Sequence, residues 1–275
     1  MTMHGGIMPD MDLLIDTLTR RGAALLAWLR SWQRLGRFAA TSIVEALTPA
    51  TYNSATRSVV QKQIYFTAWQ ILPGFTLFSA VLSFVLIQIV VDTASNYGLA
   101  QHALEMSVRL LVLEILPLLT ALFVGLRSGA AINTEVALMI VHNEMKALEE
   151  AGVDPMRFEF IPRVIGGVIS VLALTAVASA LALVLAYIAV YGLQVWSLTD
   201  FNRVIANIFD LPAIALLWAK VLAFGLAVTV IPISEGLAAP PAMLFFVPIS
   251  VLRGMVRLFF VLMLVEVISL VLKYI

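Results

Sequence analysis

Long apolar runs alternate with short polar stretches along this chain, and five of the runs are long enough to cross a bilayer. A spanning helix needs roughly 20 apolar residues. The pattern predicts spans at about 64–91, 110–126, 164–192, 211–233 and 245–272. Pro73-Gly74 predicts a kink in the first. The second is short and carries Glu114 and Pro117. The third is long enough to tilt. Lys220 sits inside the fourth, and the fifth has Arg253 and Arg257 near its start and Glu266 near its end.

Two further segments have helical periodicity but a polar face. In residues 11–47, Leu14, Leu18, Leu25, Leu29, Trp32 and Leu35 recur at spacings of three, four and seven, with Arg20, Arg21, Arg30, Arg34 and Arg37 between them. This pattern predicts a helix lying in the membrane interface, with a cytoplasmic helix packed on a partner as the alternative. The second segment is 133–152, where Leu138, Val141, Met145 and Leu148 form an apolar stripe. Glu144, Lys146, Glu149 and Glu150 project elsewhere, Gly152 fits a C-cap, and Asp154-Pro155 stops the helix. Six acids fall between Glu135 and Glu159. Placing the densest charge of a membrane chain on one loop helix points to a soluble partner, or else to a merely solvated face.

Composition agrees with the spans. The chain is 61% hydrophobic and 12% charged, with mean hydropathy +1.00, against about 25% charged in soluble domains. An all-α integral membrane protein follows, with an N-terminal region over 1–62 and a five-span domain over 63–275. Net charge is zero, which leaves no electrostatic footprint for nucleic acid. There are no cysteines, hence no disulfides. Seven basic residues lie up to Lys62, four in the 127–163 loop and two at the start of the fifth span; the opposite side has Arg109, Arg203 and Lys273. The positive-inside rule then predicts a cytoplasmic N-terminus and a periplasmic C-terminus.

Catalytic and nucleotide-binding patterns are absent. None of the four lysines follows a glycine, as a P-loop requires. His4, His102 and His142 are far apart, and there is no Cys pair or His-Glu-x-x-His, so no zinc site is expected. What remains is Glu114, Lys220 and Glu266, ionisable groups in apolar spans that are costly unless paired, hydrated or in a cavity. Glu114 precedes Pro117, which frees a carbonyl and can bend the helix toward a cavity. An interhelical ion pair is its structural alternative. Lys220 is either the partner of Glu114 or a snorkelling residue. Glu266 reads as a residue of the outer interface. Arg127 fits the phosphate level at the inner end of the second span, and Gly129 permits close helix packing there.

The run LEILPLLTALFVGLRSGAAINTEVALM, residues 113–139, followed by NEMKALEEAGVDPMRFEFIPRVIGGVIS, residues 143–170, resembles the central segment of MlaE-type (YrbE-type) permeases. That family has Glu-x-x-Pro, Arg-(Ser/Ala)-Gly-(Ser/Ala)-Ala, Thr-Glu-(Ile/Val), an acidic helix and a Gly-Val-Asp-Pro-like turn in the same order. The resemblance implies a homodimeric ABC permease in a bacterial inner membrane, served by a separate cytoplasmic ATPase that holds ATP and Mg. It implies a periplasmic MCE-domain partner and movement of lipids, commonly phospholipids, with a bearing on outer-membrane lipid asymmetry. By position, the 134–152 helix resembles the coupling helix, with Glu144, Glu149, Glu150, Asp154 and Pro155 toward the ATPase. Glu114, Tyr97 and Lys220 fall where the family's lipid cavity has an acid, an aromatic and a lysine. Arg127, Gly129 and Glu135 mark the membrane boundary, with Arg127 and Glu135 as a clamp at the base of the second span. Leu113 stands where members often have arginine, Leu116 where they have glycine, and the 235–250 loop is richer in proline. A proton-coupled secondary transporter using Glu114, and a non-transporting scaffold, are the rival readings.

Overall fold

The computed structural model describes residues 9–48, 54–99 and 102–274, all helix, turn or short connection, with no strand among them. Side chains before Leu26 lie outside that description, as does His4. Eleven helices follow in order: α1 Pro9–Leu47, α2 Ser54–Ile64, α3 Leu72–Asn96, α4 Ala103–Leu110, α5 Leu116–Val124, α6 Ala130–Val141, α7 Glu144–Glu150, α8 Ile161–Tyr191, α9 Leu198–Ile208, α10 Leu211–Gly236 and α11 Phe246–Tyr274. Several join end to end, giving five membrane-crossing rods: Thr56–Asn96, Ala103–Val141, Met156–Tyr191, Leu211–Gly236 and Phe246–Lys273.

The second rod is the largest departure from the sequence pattern. A span over 110–126 is expected; the observed rod has 39 residues, about 58 Å of helix. Two π-helical turns, Leu111–Ile115 and Gly125–Gly129, carry it past Pro117 and Gly129 without a break. The same device precedes Pro73 (Tyr65–Trp69) and Pro162 (Met156–Phe160). A proline has no N–H for the carbonyl four residues back; the wider turn redistributes the neighbouring bonds instead of ending the helix. In the first rod Gln70 N–H reaches Tyr65 O, and Ile71 N–H reaches Ala68 O. The Phe66 carbonyl accepts from Arg127 Nη1 at 3.1 Å.

The predicted single helix over 133–152 is two helices. Its first part, with Leu138 and Val141, is α6, the continuation of the second rod. The chain turns at His142 and Asn143, where Asn143 is left-handed (φ 58°, ψ 22°), a conformation asparagine tolerates. Only α7, seven residues, stands apart. Its end is as expected: Gly152 has φ +76°, and Val153 N–H returns to Leu148 O at 2.9 Å. Asn133 explains why α6 stays with the bundle. It is fully buried, donating Nδ2–H to Ser250 O (3.2 Å) and accepting from Ser250 Oγ (3.0 Å). A Cβ on Gly254 would lie 2.6 Å from that Nδ2, so glycine is what lets α11 approach.

The second and fourth rods form the centre: 56% and 50% of their apolar windows are buried, against 22% for the first and fifth. α10 packs on α11, α8, α6 and α5, and α8 packs on α2 and α3. Leu77, Phe78, Val81 and Phe84 on α3, and Leu252, Phe260 and Leu272 on α11, remain exposed. In water such faces would be untenable; in a bilayer they are ordinary. α1 lays Leu35, Trp32 and Phe38 on the bundle and leaves Leu29, Val44 and Leu47 open, the two-sided apolar character expected of an interfacial helix.

Candidate functional site

Four ionisable side chains meet inside the spans. Glu114 belongs to the π-helical turn before Pro117, Lys220 to α10, and Glu266 and Lys273 to α11. Lys220 Nζ lies 2.5 Å from Glu114 Oε2 and 3.3 Å from Glu266 Oε1. Lys273 Nζ lies 2.5 Å from Glu114 Oε1. The side chains of Lys220, Glu266, Glu114 and Lys273 are 2%, 11%, 13% and 14% exposed. Two cations and two carboxylates compensate one another, which is what makes their burial affordable. Ser269, 4% exposed, joins Glu266 and Lys273 on the same stripe of α11.

The expected pairing of Glu114 with Lys220 is therefore present, and Lys220 does not snorkel. Glu266 departs from expectation: it is turned inward to Lys220, not outward to the interface. Tyr97 is not brought to the cluster; it caps the end of α3 and is 79% exposed. Leu113, Ala213, Leu216 and Leu217 close the cluster over, leaving about 10 Å³ beside it, room for a single water at most. In one chain the cluster is a sealed ion network, not an open cavity.

A second set of charges binds the rods together at the α7 end of the bundle. Arg127 ties the second rod to the first through Phe66 O and Gln70 Oε1 (3.2 Å). Glu135 pairs with Arg163 at the start of the third rod (3.2 Å), and Arg163 also holds Glu159 (3.0 Å). Arg127 and Glu135 each fasten the second rod to a different neighbour. Gly129 is placed against α10, where an added Cβ would meet Pro232 Cγ at 3.2 Å and Val228 O at 3.3 Å. Arg257 on α11 pairs with the buried Glu235 of α10, donates to Ser31 Oγ (2.7 Å), and lies 5.7 Å from the centre of the Trp32 ring. Neither the Glu235–Arg257 pair nor the Asn133–Ser250 pair is anticipated from sequence.

On α7, Glu144, Glu149 and Glu150 are exposed and no residue of the helix is buried. Asp154 and Pro155 behave differently. Asp154 Oδ1 accepts from Met156 N–H at 2.9 Å and its other oxygen lies 3.8 Å from Arg157, so it caps the entry to the third rod. Pro155 is buried. On α7 itself the exposed side chains are mainly acidic, with Lys146 the one base among them.

The model of the permease family MlaE matches residues 60–272. This chain belongs to the MlaE permease family. The match takes in the four-member cluster except Lys273, all of α7, and all five rods but for Thr56–Val59 of the first and Lys273 of the fifth. A protein of Rickettsia felis named "Probable ABC transporter permease protein" is 25% identical over 199 residues, 69% of this chain and 70% of that protein. As an MlaE permease with five apolar rods, the chain is a multi-pass membrane protein.

Proposed function

We propose that this MlaE permease is the membrane subunit of an ABC transporter that moves lipids, in the main phospholipids, between a bacterial inner membrane and the outer envelope. The relative's name supports the transporter class. An ABC permease works with an ATPase partner, which holds ATP and Mg; an MCE-domain protein is the proposed periplasmic partner. The chain works as a homodimer, N-terminus cytoplasmic and C-terminus periplasmic, as the distribution of Lys and Arg favours.

The observation that carries the reading is a buried charge network on one continuous rod that an exposed acidic helix directly follows, across the turn at His142 and Asn143. Glu114 and the entry to α7 are connected through α5 and α6 without a break in the helix. Motion delivered at α7 by the ATPase therefore reaches Glu114 as displacement of a rigid rod. Separation of the rods opens the sealed network between two copies, exposing charges for a headgroup while Leu, Val and Phe face the chains. Tyr97 lines that dimer cavity from its exposed position.

Reversing the charge on α7 tests the coupling. Glu149→Lys with Glu150→Lys alters two exposed side chains and is expected to leave folding intact while abolishing co-purification of the ATPase. Retention of the ATPase at the parent level contradicts the assignment.

A further inference from the structure

Among the described residues, hydroxyl groups within the spans follow a rule that three break: Ser83 alone on α3, and Thr175 and Ser179 together on α8. Seven serines and threonines return their O–H to the carbonyl four residues back, as Thr120 does to Leu116 (2.7 Å) and Ser170 to Gly166 (2.7 Å). This satisfies a polar group where no water is available. Thr175 and Ser179, one turn apart on α8, make no such bond and have no partner. Thr175 is only 4% exposed. Both line a cavity of about 340 Å³ between α8 and α10, walled by Leu172, Leu183 and Trp218. No charged residue lines it. Its volume lies within the range of ligand sites, and its mouth opens at the surface of the bundle, since Ala176, Ala180 and Trp218 are exposed.

Depth decides what the hydroxyls await. Thr175 is the fifteenth of the 31 residues of α8, roughly 21 Å along the helix from Ile161 and roughly 24 Å from Tyr191, so it lies near the middle of the helix and more than half a hydrocarbon core, about 15 Å, from either end. A lipid in its ordinary leaflet position presents methylene groups there and cannot accept a hydrogen bond. An amphiphile drawn to mid-depth can, through its ester oxygens. The cavity also adjoins the ion network: Leu217 lines both spaces, and Val112 on one side is followed by Leu113 on the other.

We infer that this cavity is a lateral lipid-binding site, in which a diacyl lipid lays one chain along Leu172, Leu183 and Trp218 and accepts hydrogen bonds from Thr175 and Ser179 through its ester linkage. The headgroup then sits beside Leu217, one side chain away from Lys220 and Glu114. As a station for cargo the site rests on the proposed lipid transport; as a binding site it does not.

The test is labelling without the ATPase, so its failure leaves the transport reading standing. The full chain is placed in phosphatidylcholine nanodiscs containing a phosphatidylethanolamine with a diazirine on one acyl chain, illuminated, and its peptides are mapped. Adducts are expected to concentrate on 172–183 and 214–221. Ala180→Trp, an exposed position that fills the cavity, is expected to abolish them. Thr175→Val with Ser179→Ala, which keeps the shape, is expected to reduce them while leaving labelling of α3 unchanged. Even labelling of all lipid-facing helices that ignores both variants overturns the site. So does a disulfide-linked dimer of Ala180→Cys, which would put a second copy over the mouth of the cavity in a chain that has no other cysteine.

Discussion

Replacing Lys220 with methionine is expected to destabilise this permease by ~3–5 kcal/mol, because it strands the buried Glu266 carboxylate and takes from Glu114 one of its two cations. Lys220 is 4% exposed and bridges Glu114 and Glu266. Glu114 retains Lys273, but Glu266 keeps no cation among the described residues, and its second oxygen has no hydrogen-bond partner even now. The thermal midpoint of the detergent-solubilised protein should fall by roughly 10 °C, by the usual scaling for a chain of this size. Adding Glu266→Gln removes the stranded charge and should recover most of the loss, a non-additivity expected of direct partners. An unchanged midpoint in the single variant, or no recovery in the double, rules out the four-member network.

Arg257→Met is expected to be comparably severe, at ~3–5 kcal/mol for the same physical reason. It abandons the buried Glu235 and also releases the interfacial helix, since the guanidinium holds Ser31 and lies by the Trp32 ring. The distinguishing result is local: hydrogen exchange should rise across residues 31–38 of α1 as well as at the α10–α11 junction. Arg257→Lys keeps the charge, yet an ammonium cannot reproduce a planar fork that serves a carboxylate, a hydroxyl and a ring together. It should fall between parent and methionine variant. Exchange in α1 that matches the parent in both variants removes Arg257 from the role of fastening that helix.

The spans were legible in the sequence because bilayer thickness sets a length that apolar runs report directly. Their ends were less so. The second span reads as short because Arg127, Asn133 and Thr134 look like loop residues. Each is instead satisfied within the bundle: Arg127 by Phe66 O and Gln70, Asn133 by Ser250, and Thr134 by Ala130 O. Hydropathy counts polarity and cannot count partners. The same blindness leaves the acidic helix undivided, since the stripe from Leu138 to Leu148 is regular while the break at Asn143 rests on one left-handed residue.

Of the charge network, Glu114 and Lys220 stood out because they interrupt long apolar runs. Glu266 did not, being near the end of its span, yet a signal existed. Leu262, Glu266, Ser269 and Lys273 recur at spacings of four, three and four, and Leu262, Glu266 and Ser269 are buried, whereas Leu264, Val267, Ile268 and Leu272 face outward. In a membrane helix a polar stripe marks the inner face. Read that way, α11 places Glu266 and Lys273 inside. Glu235–Arg257 is harder to foresee, because both residues flank a loop and only the crossing of α10 and α11 brings them together. Tyr97 has no such mark: it follows a long apolar helix, and at the end of α3 it is 79% exposed.

The most direct measurement on the central claim is purification of the tagged chain from its native membrane in mild detergent, with mass spectrometry of bound proteins and lipids. A second copy of the permease, a P-loop ATPase, an MCE-domain protein and stoichiometric phospholipid are expected. A lone protein that brings neither ATPase nor lipid, even after mild cross-linking, contradicts that claim.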